Sequence, residues 1–199
     1  MNKIIIVGAG FAGLQAAKGL TTSSFDVTII DKNNYHLFQP LLYQVATAGL
    51  SPADIAVPIR NIFRSQQNPK VILDELIGIN PHLNQIKTRN NTYIYDFLVI
   101  ATGSEPSYFG HDQWKNFSYG LKNIKDATSM RTKILKAFEK AERIKNNNDL
   151  DKLMKFVLIG GGPTGVEMAG AIAELSKKIL TKEFTTIDTK TAKIILLEA

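Results

Sequence analysis

Two triplets of glycine mark where this chain could do chemistry. Gly8, Gly10 and Gly13 lie in IIIVGAGFAG (4–13), and Gly160, Gly162 and Gly165 lie in FVLIGGGPTG (156–165), a constant offset of 152 residues. Each triplet follows a short aliphatic run and opens a helical pattern. That pattern is Ala12, Ala16, Ala17 and Leu20 in the first case, and Val166, Ala169, Ala171, Ile172 and Leu175 in the second. A second apolar strand then ends in an acid, VTII before Asp31 and IILL before Glu198. Strand, glycine turn, helix, strand and acid make the βαβ unit that holds a dinucleotide. The first glycine permits a tight turn, the second lets backbone approach a pyrophosphate, and the third lets helix and strand pack closely. The helix N-terminus turns free N–H groups and a partial positive charge toward phosphate. The acid accepts hydrogen bonds from an adenosine ribose. Asp31 follows Gly13 by 18 residues and Glu198 follows Gly165 by 33, so the second unit carries an insertion around residues 177–193.

The elements that must position these residues follow from periodicity and turn chemistry. The fold class expected is α/β, with two Rossmann-like βαβ units and an inserted β-meander. Residues 71–100 read as the meander: VILDELIGI, a turn at Asn80-Pro81, QIKT, a turn at Asn90-Asn91, TYIY and FLVIATG. Ala127, Met130, Ile134, Phe138, Ala141 and Ile144 recur at helical spacing and predict a helix over 126–145. The run Asn146–Asn148 then reads as a helix stop and a linker. Residues 33–62, rich in aromatics and prolines, give no clear element.

Composition narrows the function classes. The 199 residues suit one domain and a piece, or two small domains. Apolar residues at 44% and charged residues at 21% are an ordinary globular balance, and no apolar run reaches the length of a membrane span. The N-terminus shows no signal-peptide pattern. There is no cysteine, which excludes a disulfide scaffold, a cysteine zinc site, a cysteine nucleophile and a redox dithiol within this chain. The three histidines, 36, 82 and 111, have no metal-ligand spacing. The net charge of +6 resides in residues 115–155, with eleven Lys/Arg against five Asp/Glu. That segment lacks the aromatic interleaving of single-strand binders and reads as a solvated helix face, so no nucleic-acid partner is expected.

Two dinucleotide sites on one chain bring two nucleotides together, and the useful pairing is a flavin with a nicotinamide. The first unit, the FLVIATG segment and the second unit occur in the order found in two-dinucleotide flavoproteins. Residues 35–60 (YHLFQPLLYQVATAGLSPADIAVPIR), 105–114 (EPSYFGHDQW) and 160–175 (GGGPTGVEMAGAIAEL) resemble the signature stretches of type II NADH:quinone oxidoreductases. The resemblance covers the whole chain. It implies an FAD-binding part over 1–110 with the meander at about 71–96, a connecting helical segment over 111–154, and the start of an NAD-binding domain over 155–199. It also implies that the chain is truncated. The rest of the NAD domain, most quinone-facing residues and an amphipathic membrane anchor would lie beyond Ala199, leaving these residues inactive by themselves.

The same resemblance distributes roles. Gly8, Gly10 and Gly13, with the amides of Phe11 and Ala12, would cradle the FAD pyrophosphate, and Asp31 would hold its ribose. Lys32 and the backbone of Leu76 would lie by the adenine, while Ala101, Thr102 and Gly103 would approach the flavin. Gln44 is the polar residue expected near the isoalloxazine; His36 reads as structural. Gly160, Gly162, Pro163, Thr164 and Gly165 would take NADH. Glu198 would prefer a ribose 2′-hydroxyl and repel a 2′-phosphate, favouring NADH over NADPH. Glu167 would stand where nicotinamide meets flavin, as the residue touching the reaction; Thr164 and Glu167 also have the spacing of a helix capping box. The implied activity is an FAD-dependent NADH dehydrogenase that reduces quinone, peripheral on the cytoplasmic face of the inner membrane. A reductase of a small redox protein, of the ferredoxin or rubredoxin reductase type, and a nucleotide-binding module without turnover are the other readings open. An interrupted NAD sheet would leave an edge strand free to pair with a second copy, giving a homodimer.

Overall fold

A computed structural model describes residues 1–198 other than 23, 67, 145 and 146. In chain order the elements begin with β1 (Lys3–Val7), α1 (Phe11–Gly19), β2 (Asp26–Asp31), β3 (Tyr35–Leu37), α2 (Leu42–Ala46), α3 (Pro52–Ile55), β4 (Ala56–Pro58) and α4 (Ile59–Ile62). Five strands follow: β5 (Lys70–Leu73), β6 (Leu76–Asn80), β7 (Gln85–Thr88), β8 (Thr92–Ile94) and β9 (Phe97–Ile100). The rest are α5 (Ile124–Arg143), α6 (Asn147–Leu153), β10 (Lys155–Ile159), α7 (Pro163–Glu174) and β11 (Lys193–Leu197). They form two compact units, Met1–Leu37 with Ala56–Glu105, and Phe38–Ile55 with Pro106–Ala199.

The first unit is built around β1, which with β2 is inner to a parallel sheet ordered β5-β2-β1-β9. Side chains alternate across a strand, and here both faces are covered. Ile4 and Ile6 pack with Leu14 and Ala17 of α1, with Ile59, and with Phe63. Ile5 and Val7 pack with Ile86 and Tyr95 from the other side. Each such fully buried aliphatic side chain contributes about 1.5–3 kcal/mol. Register beside β9 is fixed at one end by Lys3 N–H donating to Asp96 Oδ2 at 2.6 Å.

The meander is shorter than the sequence suggested. Only β6, β7 and β8 form the antiparallel three-stranded sheet, whereas β5 and β9 belong to the parallel sheet. VILDELIGI breaks because Asp74 is buried and bends the chain. Its carboxylate accepts from Glu75 N–H (2.8 Å), Thr88 Oγ1 (2.8 Å) and Asn90 Nδ2 (3.1 Å). The Asn80-Pro81 turn is a short 3-10 turn capped by Asn80, whose side chain accepts from His82 and Leu83 N–H.

In the second unit α2 packs against α5 and α7. The helix expected at 126–145 runs from Ile124 to Arg143. It starts early because Asn123 accepts from Asp126 N–H (2.9 Å) while Asp126 accepts from Lys122 N–H (3.1 Å). Ala127, Ile134, Phe138 and Ala141 form its buried stripe. Phe138 stacks on Phe156 of β10 at 5.5 Å. The expected stop and linker at 146–148 falls partly outside the described residues, and from Asn147 the chain is helical. Residues 38–55, which gave no clear element, form a 3-10 turn (Gln39–Leu41), α2 and α3.

The insertion of the second unit leaves α7 through a π-helical turn, Leu175–Ile179. The buried Thr189 hydroxyl donates to the Ser176 carbonyl at 2.7 Å, satisfying an acceptor on that turn. Glu142 clasps the insertion from α5. Its carboxylate accepts from the N–H groups of Thr185 (3.2 Å), Thr186 (3.0 Å) and Ile187 (3.2 Å).

Two predictions follow from local geometry. Ala48 sits at φ +65° just past α2, where Ala48 N–H bonds Val45 O and Gly49 N–H bonds Gln44 O, a Schellman closure that favours glycine. Ala48→Gly should stabilise the chain by roughly 0.5–1 kcal/mol in urea unfolding, the relief of left-handed strain exceeding the added backbone entropy. For Glu142, partial burial raises the pKa but the amides of Thr186, Thr185 and Ile187 outweigh it, and the net value lies below the ordinary one. A lowered folded-state pKa gives stability that is present above the unfolded-state value and lost as pH falls through the folded one. Amide exchange at 185–187 should therefore accelerate as pH drops below the ordinary glutamate range, beyond the intrinsic pH dependence of exchange, and Glu142→Ala should abolish that excess acceleration.

Candidate functional site

The glycine loop of the first unit follows directly from β1. Gly8 turns the chain at φ +97°, and a Cβ there would stand 2.3 Å from the Ala101 carbonyl oxygen at the end of β9. A Cβ on Gly13 would stand 1.8 Å from the Gly8 carbonyl oxygen, so α1 can lie this close to the turn only with glycine at 13. Gly10 is different. It is the N-cap of α1, no side chain caps it, and a Cβ there would meet nothing within 4 Å. The space in front of Gly10 is open at the N-terminus of α1, where Phe11 and Ala12 are exposed. A helix N-terminus opening on free space in this way is the kind of place that receives a pyrophosphate.

Asp31 ends β2 beside that loop. Its Oδ2 accepts from Ala9 N–H at 2.6 Å and its Oδ1 from Asn33 N–H at 2.6 Å. A carboxylate has about four acceptor positions, so two remain for ribose hydroxyls. Lys32 is exposed in the following bend. Tyr35 lies near this carboxylate; burial, and then the Asp31 charge, raise its phenol above the ordinary value and keep it neutral. Leu76 opens β6 half-buried against the Ile5 and Val7 face. Ala101 N–H donates to Val7 O at 2.8 Å, and Thr102 and Gly103 continue exposed, with Gly103 at φ +75°.

The second unit repeats this construction. Gly160 has φ +104°, and a Cβ on Gly165 would lie 1.9 Å from the Gly160 carbonyl oxygen. Gly162 is the N-cap of α7, with Pro163 in the first helical position, where its missing N–H costs nothing. The Glu198 carboxylate accepts from Gly161 N–H, as Asp31 does from Ala9. In both units the turn glycine bonds the end of the second strand: Gly8 N–H to Ile30 O and Gly160 N–H to Leu197 O, each at 2.8 Å. One element differs. A Cβ on Gly8 would run into Ala101, just past a third strand, while one on Gly160 would meet nothing within 4 Å, and β10 pairs only with β11 among the described residues.

The capping box expected from Thr164 and Glu167 does not form. Gly162 takes the cap, which places Thr164 inside the first turn of α7. Glu167 is consequently exposed and makes no hydrogen bond or ion pair among the described residues. Gln44 lies in α2 of the second unit, its side chain donating to the Tyr43 hydroxyl at 3.1 Å. Sequence reasoning missed Ala9. The residue is 1% exposed, and its N–H and carbonyl are held by Asp31 and His36, 22 and 27 residues away, which no local pattern signals.

The family model described as pyridine nucleotide-disulphide oxidoreductase matches residues 2–197. Two proteins of Mycobacterium tuberculosis (strain ATCC 25618 / H37Rv), type II NADH:quinone oxidoreductases NdhA and Ndh, are each 44% identical over the full chain. The chain spans 43% and 44% of their lengths, less than half of these curated relatives. The structure of NDH2 from Plasmodium falciparum in complex with NADH superposes with a TM-score of 0.88 at 28% identity, over 98% of this chain and 41% of that one. A sulfide:quinone oxidoreductase from Aquifex aeolicus shares the fold, with a TM-score of 0.74 at 21% identity.

The loop geometry separates folding from ligand approach. Gly13→Ala should lower stability by more than about 3 kcal/mol, because its Cβ would overlap backbone. Gly10→Ala should melt within a degree or two of the parent yet weaken dinucleotide binding at least tenfold. Calorimetry and ligand titration on the two variants check both statements.

Proposed function

The chain belongs to the pyridine nucleotide-disulphide oxidoreductase family, and we propose that it carries the two nucleotide sites of an FAD-dependent NADH:quinone oxidoreductase. The observation that carries this reading is the same phosphate-loop geometry built twice in one chain, each loop pinned by its own strand-end acid. The identity to type II NADH:quinone oxidoreductases and the fit to a structure in complex with NADH support it. Within these 199 residues there is no thiol to relay electrons, which suits direct transfer from flavin to quinone.

In this reading the first site takes FAD. Gly8, Gly10 and Gly13 give its pyrophosphate close access to the N–H groups of Phe11 and Ala12. Asp31 accepts from the ribose hydroxyls, Lys32 and Leu76 border the adenine, and Ala101, Thr102 and Gly103 lie toward the flavin. Gln44 is assigned to the isoalloxazine environment. When bound, FAD would supply the two-electron redox chemistry that links NADH to a quinone. Gly160, Gly162, Pro163, Thr164 and Gly165 hold the NADH pyrophosphate. Glu198 accepts from the 2′-hydroxyl, and a 2′-phosphate placed there would meet like charge. Glu167, exposed and without a hydrogen bond or ion pair among the described residues, would help position the nicotinamide and place charge near the reacting groups. The chain's residues thus bind, orient and set the field.

Residues 1–110 then form the FAD-binding part, 111–154 the connecting segment and 155–199 the beginning of the NAD-binding part. The acceptor is a membrane quinone, which places the enzyme at a membrane surface, peripheral on the cytoplasmic face. No helix among the described residues is long and apolar enough to cross a membrane. The strand edge of β10 is the surface through which two copies would pair.

The purified chain should retain a flavin absorption band after incubation with FAD and desalting, and Asp31→Ala should weaken FAD about 10- to 100-fold, the loss of charge-assisted hydrogen bonds. NADH should bind at least tenfold more tightly than NADPH, with Glu198→Gln narrowing the ratio. Absence of flavin binding at micromolar FAD, or equal affinity for both nicotinamides, would overturn the respective assignment.

A further inference from the structure

His36 is 8% exposed, lies in β3, and takes no part in the assignments above. Its Nδ1 lies 2.8 Å from the Ala9 carbonyl oxygen. A carbonyl only accepts, so Nδ1 carries the hydrogen and donates it. The Phe11 ring meets the imidazole edge-on at 5.2 Å and 88°. On the other side of the same residue, Ala9 N–H donates to Asp31.

These two bonds act on successive peptide planes. Asp31 holds the plane between Gly8 and Ala9, and His36 holds the plane between Ala9 and Gly10. Fixing both planes fixes the backbone of Ala9. In a trans peptide the C=O and N–H point in opposite directions. A carbonyl of Ala9 drawn toward His36 therefore aims Gly10 N–H away from it, to the open side of the loop.

The second loop has the first of these holds and not the second. Gly161 stands where Ala9 does, 152 residues on, and its N–H is held by Glu198. Among the described residues no side chain is bonded to its carbonyl. Glycine, with no Cβ, also leaves that peptide freer to rotate than alanine does.

We propose that His36 is a positioning residue that locks the first glycine loop in its phosphate-receiving conformation, making this the site of a resident dinucleotide and leaving the unlocked second loop to one that exchanges. The proposal rests on the FAD and NADH reading above and goes beyond it by assigning the difference in residence to one side chain. Ordering of the loop before the ligand arrives removes a backbone-entropy cost from binding, worth roughly tenfold in affinity.

The test uses the whole chain and two histidine variants. His36→Leu fills the space without a donor, and His36→Asn puts an amide N–H near the Nδ1 position. His36→Leu should weaken FAD about tenfold and speed exchange of the Ala9 amide, which is buried and bonded to Asp31, with exchange of the Gly161 amide and NADH affinity unchanged. His36→Asn should restore FAD affinity to within about threefold of the parent. Equal loss in both variants, no loss in either, or parallel loss of NADH affinity would overturn the lock. Failure of the parent to bind FAD would overturn the cofactor reading instead; the Ala9 exchange comparison still decides the lock, because it needs no ligand. Should His36→Leu unfold, Ala9→Gly keeps the histidine and loosens the same peptide, and unchanged FAD affinity together with unchanged protection of the residue-9 amide would refute the proposal.

Discussion

A Cβ on Gly13 would sit 1.8 Å from a backbone oxygen, closer than any two such atoms can stand. That exclusion governs the first unit. It lets α1 descend onto the turn after β1, and Leu14 and Ala17 thereby reach Ile4 and Ile6. It also sets the N-terminus of α1 directly against the open space at Gly10. The second unit obeys the same exclusion at Gly165 and arrives at the same loop. Packing and ligand approach are therefore not separate achievements of this fold. The contact that seats the helix is the contact that aims its N–H groups.

The carboxylates at the strand ends extend the logic. Asp31 and Glu198 each spend one interaction on their own loop before any ribose is present. An acid that both shapes the loop and faces the ligand couples site geometry to site charge. Loss of either acid should therefore be felt as misplacement as well as a missing hydrogen bond. The loops differ where β9 flanks the first and where His36 reaches it, so under the proposed reading chemically similar ligands would meet differently supported backbones.

Both loops were legible in the sequence because their constraints are local: glycine spacing, the aliphatic run before and the acid after all lie within one βαβ unit. The long helix was legible from its stripe, although its start at Ile124 depended on the Asn123 and Asp126 caps. The break at Asp74 was not legible, since a buried aspartate inside an apolar run announces itself only through Thr88 and Asn90, which arrive from another turn. The capping box at Thr164 misled for the opposite reason: spacing matched, but Gly162 had already taken the cap. The grouping of residues 38–55 with α5 and α7 is likewise invisible to short-range pattern, because it joins segments at least 69 residues apart.

The position of β9 has a consequence for the birth of the protein. Strand β1 is synthesised well before β9, so one of its two neighbours is completed only after Ile100, and Lys3 bonds to Asp96 across 93 residues. At roughly 5 to 20 residues per second, a ribosome leaves that flank of β1 unpaired for about 5 to 20 seconds. During that interval Ile4–Val7 offers an apolar open edge to any other nascent chain. Early docking of α1 covers one face of the strand but not its edge. The interval between translation of β1 and of β9 is thus the stage at which a chaperone able to shield a strand edge would act.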